Sequence, residues 1–167
     1  MSTNARIGIE NEDGSVTSVY THFDGYPSHH APILAEHYSE PEKLRALLAL
    51  GDLSVLAPEL GSKHDFDTHS KDAPDDWCLF YGRDRGETDI DSKTHPIDAW
   101  PDYGQRYEYL LRADGWHARP VKYEKVPTLD DLEHDYHFER VDSAWQPLAE
   151  LLAEDLAEEA KYAASQK

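Results

Sequence analysis

Cysteine is nearly absent from this 167-residue chain, which carries Cys78 and no other. A single thiol forms no intrachain disulfide and cannot build a cysteine-rich zinc site. It stands in the run Trp77-Cys78-Leu79-Phe80, where it is expected as a small buried hydrophobe and not as a nucleophile. Long apolar runs are missing as well. Nothing approaches the roughly 18 apolar residues of a membrane span, and the opening residues have no apolar stretch of the secretory type. Bases are also scarce: 16 Lys and Arg stand against 34 Asp and Glu, a formal net charge of −18. Holding nucleic acid by its phosphates requires a surplus of Lys and Arg, so the expectation is no direct nucleic-acid partner. The same field repels anionic membranes.

Catalytic signatures are equally thin. No H-E-x-x-H, P-loop or G-x-S-x-G string occurs. Asp65 and Asp67 begin like a calcium loop, but the glycine and the closing Glu that such a loop needs are absent. No cofactor is implied.

Aromatic mass, by contrast, is plentiful. Four Trp, ten Tyr and four Phe exceed what a disordered acidic chain carries, so the composition implies a folded domain with a heavily charged surface. The length suits one domain, residues 1–167. Ala5–Glu10 and Val16–Phe23 alternate around the turn chemistry of Asn11-Glu12-Asp13-Gly14, which predicts a β-hairpin. Pro32 is expected to open a short helix to about Tyr38. A second helix follows, with Ser39 and Glu42 spaced as a capping box and Leu44, Leu47, Leu48 and Leu50 on its apolar side. Trp77–Tyr81 reads as a strand between two polar loops, at about 61–76 and 87–104. Arg106–Arg112 and Trp116–Tyr123 read as another hairpin around Ala113-Asp114-Gly115.

After Pro127 acids and leucines take over, and 128–162 is expected as an acidic helical segment on a 5–127 sheet-and-helix body. Trp145, Leu148, Leu152 and Leu156 fall at three- and four-residue spacing, which predicts an amphipathic helix from about Ser143, with 163–167 as a frayed tail. The fold class expected is α+β: an antiparallel sheet, helices packed on one face, and an acidic C-terminal helix.

Charge position points further than charge total. Residues 128–159 hold eleven acids and one base, Arg140. Glu150, Glu154 and Glu158 stand four apart, at a rise of about 6 Å per step. Like charges at that spacing weaken a helix by roughly 0.2–0.5 kcal/mol per pair. Five acids within residues 150–159 approach the charge spacing of a phosphate backbone. The candidate partner-binding residues are therefore Asp130, Asp131, Glu133, Asp135, Glu139, Glu150, Glu154, Asp155, Glu158 and Glu159. They fit a basic, nucleic-acid-handling partner.

A second constellation points to chemistry. At strand period His22 and Asp24 share a face, and His29 and His30 follow closely. Imidazole and carboxylate together suit a divalent metal or acid–base work. His22 and Asp24 are the catalytic candidates, and His22, Asp24, His29 and His30 the metal candidates, of an alternative reading as a metal-dependent phosphodiesterase or small-ligand protein. Arg83 and Arg85, in Tyr81-Gly82-Arg83-Asp84-Arg85-Gly86-Glu87, are expected to pair with neighbouring acids and fix a loop.

The string Arg6-Ile7-Gly8-Ile9-Glu10-Asn11-Glu12-Asp13-Gly14, then His22-Phe23-Asp24-Gly25-Tyr26-Pro27, resembles the opening of a family of small tailed-bacteriophage accessory proteins. The Tyr81–Glu87 block is similar to that family's middle motif. The resemblance implies a protein made in the cytoplasm of a bacterial host cell, and it carries over no catalytic residue. It suits an inhibitor of host defence or nucleic-acid enzymes, such as a DNA mimic. A virion or assembly component is a further alternative.

Overall fold

The computed structural model describes residues 2–128 and 136–167. The fold is α+β: the described residues form five helices and a mixed, mostly antiparallel sheet. The first hairpin pairs β1 (Ala5–Glu10) with β2 (Val16–Thr21) in the register Glu10↔Val16 to Ala5↔Thr21. Its turn is held by the amides of Asn11 and Gly14, which donate to Ser15 O and Asn11 O at 2.7 and 2.9 Å. Gly14 takes the left-handed φ of 84° that the turn requires.

Two helices follow. α1 runs Pro27–His37 and α2 Pro41–Ala49. α1 begins five residues before Pro32, because Pro27 already supplies a φ preset for the first helical position. Pro32 lies inside the helix, and His29 and His30 lie on it. Ser39 does not cap α2. Its hydroxyl donates back to Ala35 O at 2.6 Å, and Glu40, in extended conformation, stands at the N-cap position. Gly51 ends the passage with φ 80°, and an ideal Cβ there would sit 2.3 Å from Ile90 O, so no other residue fits.

β3 (Leu53–Val55) joins the end of β2 in parallel and pairs with β4 (Leu79–Phe80). Between them lies the four-residue α3 (His69–Asp72). The expected strand Trp77–Tyr81 is shorter than read, because Tyr81 opens a one-turn helix, α4 (Tyr81–Arg85), closed by left-handed Gly86. The second polar loop contains a strand, β5 (Lys93–His95), on the N-terminal half of β2. β6 (Tyr107–Arg112) lies parallel to β1 and forms the expected hairpin with β7 (Gly115–Pro127). The parallel pairs β1·β6 and β2·β3 make the sheet mixed, where the sequence suggested an antiparallel one.

The end of the chain departs most from expectation. Residues 136–142 are a strand, β8, antiparallel to β7, so the segment from 128 to 162 is not all helix. Helix α5 spans Leu148–Ser165 and takes in most of the expected tail. It starts after Pro147 because a residue before proline is driven out of the helical region, here Gln146. Gln146–Pro147 form β9 against β7 instead.

Residues paired across strands point to one side of a sheet. On one side Ala5, Ile7, Ile9, Val19, Tyr109, Leu111, Trp116 and Ala118 share a buried core with Leu34 of α1, Leu44, Leu47 and Leu48 of α2, and Leu148 and Leu151 of α5. On the other side Val16 and Leu110 pack under Trp100, with Trp145 and Ile97 against them.

Candidate docking surface

The buried apolar residues of helix α5 lie at its start. Leu148 and Leu151 are buried and Leu152 packs against the core, while Leu156 is 49% and Tyr162 70% exposed. The exposed part carries the acids. α1 lacks a side-chain cap and has no acid in its first turn, so its amides and its positive dipole end are open. α5 fills that need from across the fold. Asp155 Oδ2 accepts from the Ser28 amide at 2.9 Å, and Glu159 Oε1 accepts from the Ser28 hydroxyl at 2.7 Å.

The other three carboxylates, Glu150, Glu154 and Glu158, are exposed and have neither a hydrogen bond nor an ion pair among the described residues. Bases do stand near. Glu154, Asp155 and Glu158 share a groove of about 250 Å³ with Tyr107 and Lys122. Past Tyr107 it meets a hollow of about 450 Å³ lined by Tyr26, Arg106 and Lys122. Yet neither Arg106 nor Lys122 forms an ion pair with any described residue. Burial raises the pKa of the Tyr107 and Tyr26 phenols, and the carboxylates around them, Asp155 and Glu158 for Tyr107, Asp24, Glu159 and Asp155 for Tyr26, push the same way.

The strand acids behave differently. Glu139 is hydrogen-bonded to His137 Nε2 at 2.9 Å. Asp142 accepts from Arg140 Nε at 2.5 Å and lies 3.5 Å from Arg119 Nη2. Asp130, Asp131, Glu133 and Asp135 lie outside the described residues. Of the acids proposed for a partner, the structure thus pairs Glu139 internally, assigns Asp155 and Glu159 to α1, and presents Glu150, Glu154 and Glu158 to solvent.

The histidine constellation divides: His22 leaves the group, while His29 and His30 stay together beside Asp24. β2 ends at Thr21, and Asp24 turns into the left-handed region with φ 56°, so strand period no longer relates it to His22. His22 Nδ1 is hydrogen-bonded to the Tyr20 hydroxyl at 2.8 Å, and its ring meets Phe23 edge-on. His29 and His30 share a hydrogen bond between their Nδ1 atoms at 3.0 Å. His30 is fully buried with its ring 5.5 Å from that of Tyr109, and desolvation, then His29, drives its pKa well down. Among the described residues no group of three or more His, Cys, Asp or Glu is placed to hold a metal ion.

The Tyr81–Glu87 block is a clamp. Asp84 is buried and accepts from Arg83 Nε and Nη2 at 2.9 and 3.1 Å and from the amides of Phe80 and His64. Arg83 also donates to Leu60 O and Cys78 O, which ties the 61–76 loop to α4. Burial opposes the ionised form of Asp84, but these donors together hold its pKa below the usual carboxylate value. Arg85 pairs with Glu87 and stacks over Phe66. Cys78 is buried, with its thiol against Ala57 and its pKa raised by desolvation.

One polar cluster has no sequence signature. Glu108 is fully buried and accepts from Arg119 Nε at 2.8 Å, Arg140 Nη2 at 2.6 Å and Gln105 Nε2 at 2.9 Å. The Arg119 guanidinium lies 4.3 Å over the Trp145 ring, which packs 5.4 Å from Trp100. These contacts fasten β8 and β9 to the sheet. Three carboxylates exposed on one helix, beside a sheet whose strand acids Glu10, Glu108, Glu139 and Asp142 are paired, define an acidic α+β protein with a free anionic edge. Comparison with protein families, curated proteins and solved structures finds no match to this chain.

Proposed function

We propose that this is a non-enzymatic acidic protein that docks a basic, nucleic-acid-handling partner through α5 and competes there with nucleic acid. The observation that carries the reading is the absence of any internal cation for Glu150, Glu154 and Glu158 among the described residues. A protein that binds three arginines to Glu108 and Asp84 has bases to spend on its acids, and it spends none on this row. The row repeats at about 6 Å along a rigid helix, a spacing that phosphate-reading Lys and Arg can follow. Tyr162 and Leu156 add exposed apolar area beside it.

The resemblance of the opening to phage accessory proteins suggests the setting, the cytoplasm of a bacterial host, and inhibition of a host nucleic-acid enzyme or defence protein as the outcome. The phosphodiesterase alternative has lost the shared face of His22 and Asp24 on which it stood, and no observation favours a virion role. Pull-down from bacterial lysate at low salt, followed by a salt titration, tests the proposal. Retention of a basic protein that fades as salt rises supports it. Retention indifferent to salt, or none at low salt, ends it.

A further inference from the structure

β8 is the terminal strand of the sheet, and among the described residues no strand pairs with its outer edge. Beyond Val121 the β7–β8 ribbon has just two strands, and two strands alone are marginal in water. Its apolar side chains are nonetheless exposed: Phe138 at 63% and Tyr136 at 44%, edge to face at 5.8 Å, with Lys125 Nζ 3.3 Å over the Tyr136 ring. Such an edge invites a further strand.

We propose that the edge pairs antiparallel with β8 of a second copy of this chain, centred on Phe138. The residues select both partner and register. With Phe138 opposite itself, His137 meets the second copy's Glu139 and Tyr136 meets its Arg140. The His137–Glu139 pair is favourable, Arg140 keeps its guanidinium on its own Glu108 and Asp142, and the two Phe138 rings form an aromatic pair on one face. Centring on Glu139 sets two carboxylates face to face, and centring on Arg140 sets each Phe138 opposite the charged Asp142 of the other copy. Charge favours the same answer. In a chain of net −18, the described ribbon strands, Val121–Pro127 and Tyr136–Asp142, carry three bases and three acids, so two copies meet there with least repulsion. The arrangement is a closed two-fold dimer and leaves α5 outside the seam.

A seam this short belongs with weak interfaces, so the measurement is sedimentation equilibrium of the full chain at high micromolar concentration. Wild type is expected at twice the 19.0 kDa of one chain, and the dimer is expected to tighten with salt, because added ions screen the remaining acids. Docking of a basic partner weakens with salt, so the two associations are separable. Phe138→Glu sets two carboxylates against each other at the axis. It should weaken the dimer roughly tenfold or more with an unchanged circular dichroism spectrum. Under oxidation Phe138→Cys should give a covalent dimer faster than Tyr162→Cys, an exposed control on α5. A wild type that stays at single-chain mass in both salts overturns the proposal. So does a Phe138→Glu variant that dimerises as the wild type does, or a Tyr162→Cys variant that cross-links as fast as Phe138→Cys.

Discussion

The carboxylate of Asp155 lies 2.9 Å from the amide nitrogen of Ser28, so the C-terminal helix caps the first helix across 127 residues of sequence. The contact is an N-cap supplied in trans. Removing such a cap costs about 1 kcal/mol. Asp155→Ala should therefore lower the urea midpoint with an unchanged slope. Glu159→Gln should cost less, since an amide oxygen still accepts from the Ser28 hydroxyl. Wild-type stability in Asp155→Ala would mean that the α1 terminus is satisfied by water.

The free row should behave in the opposite sense. Glu150, Glu154 and Glu158 repel one another, and each like-charged pair four residues apart costs roughly 0.2–0.5 kcal/mol. The triple Gln variant should be as stable as wild type or slightly more so, by thermal denaturation. Its retention of a basic partner at low salt should fall. Stability and binding moving in opposite directions is the signature of a row kept for contact; a triple variant that binds as well as wild type removes the row from the interface.

Glu108 carries a larger expected effect. Truncating it to Ala leaves Arg119 and Arg140 without their shared buried carboxylate. Breaking a buried ion pair from one side costs about 3–5 kcal/mol. Denaturant unfolding should show a loss of that order, and Trp145 fluorescence should shift as Arg119 leaves its ring. A loss below about 1 kcal/mol would mean that Asp142 takes over both arginines.

Local chemistry explains which parts of this fold are legible in sequence. The β1–β2 and β6–β7 hairpins follow from turn residues and alternation, and α2 from its leucine spacing. The sequence places the helix start too early because Trp145 falls on the helical period of Leu148, Leu152 and Leu156. Its ring is instead placed by two distant partners, Trp100 and Arg119, and period carries no record of them. β8 escapes sequence reading because its acids suggest a solvated helix, whereas the extended backbone sets Glu139 beside His137 and strand register brings Asp142 to Arg119. Of the docking row, the three free glutamates were legible as a four-residue repeat. The use of Asp155 as a cap and of Glu159 on the Ser28 hydroxyl is not legible, since it depends on how α1 and α5 meet.

Acidification should reach the fold through His30. Burial holds its folded pKa well below the ordinary 6.5, so the ring is neutral in the native state and takes up a proton on unfolding. The unfolded chain therefore binds more protons over the window from 6.5 down to the folded value, and stability falls as pH drops through that window. His29, His69 and His95 are displaced the same way, also first by desolvation, and add to the slope. His30→Phe keeps a ring against Tyr109 and removes one titrating group. Urea unfolding at a series of pH values between 7 and 5 should then show a shallower dependence in the variant, by up to about one proton's worth. Equal slopes in the two proteins would mean that His30 binds its proton without unfolding.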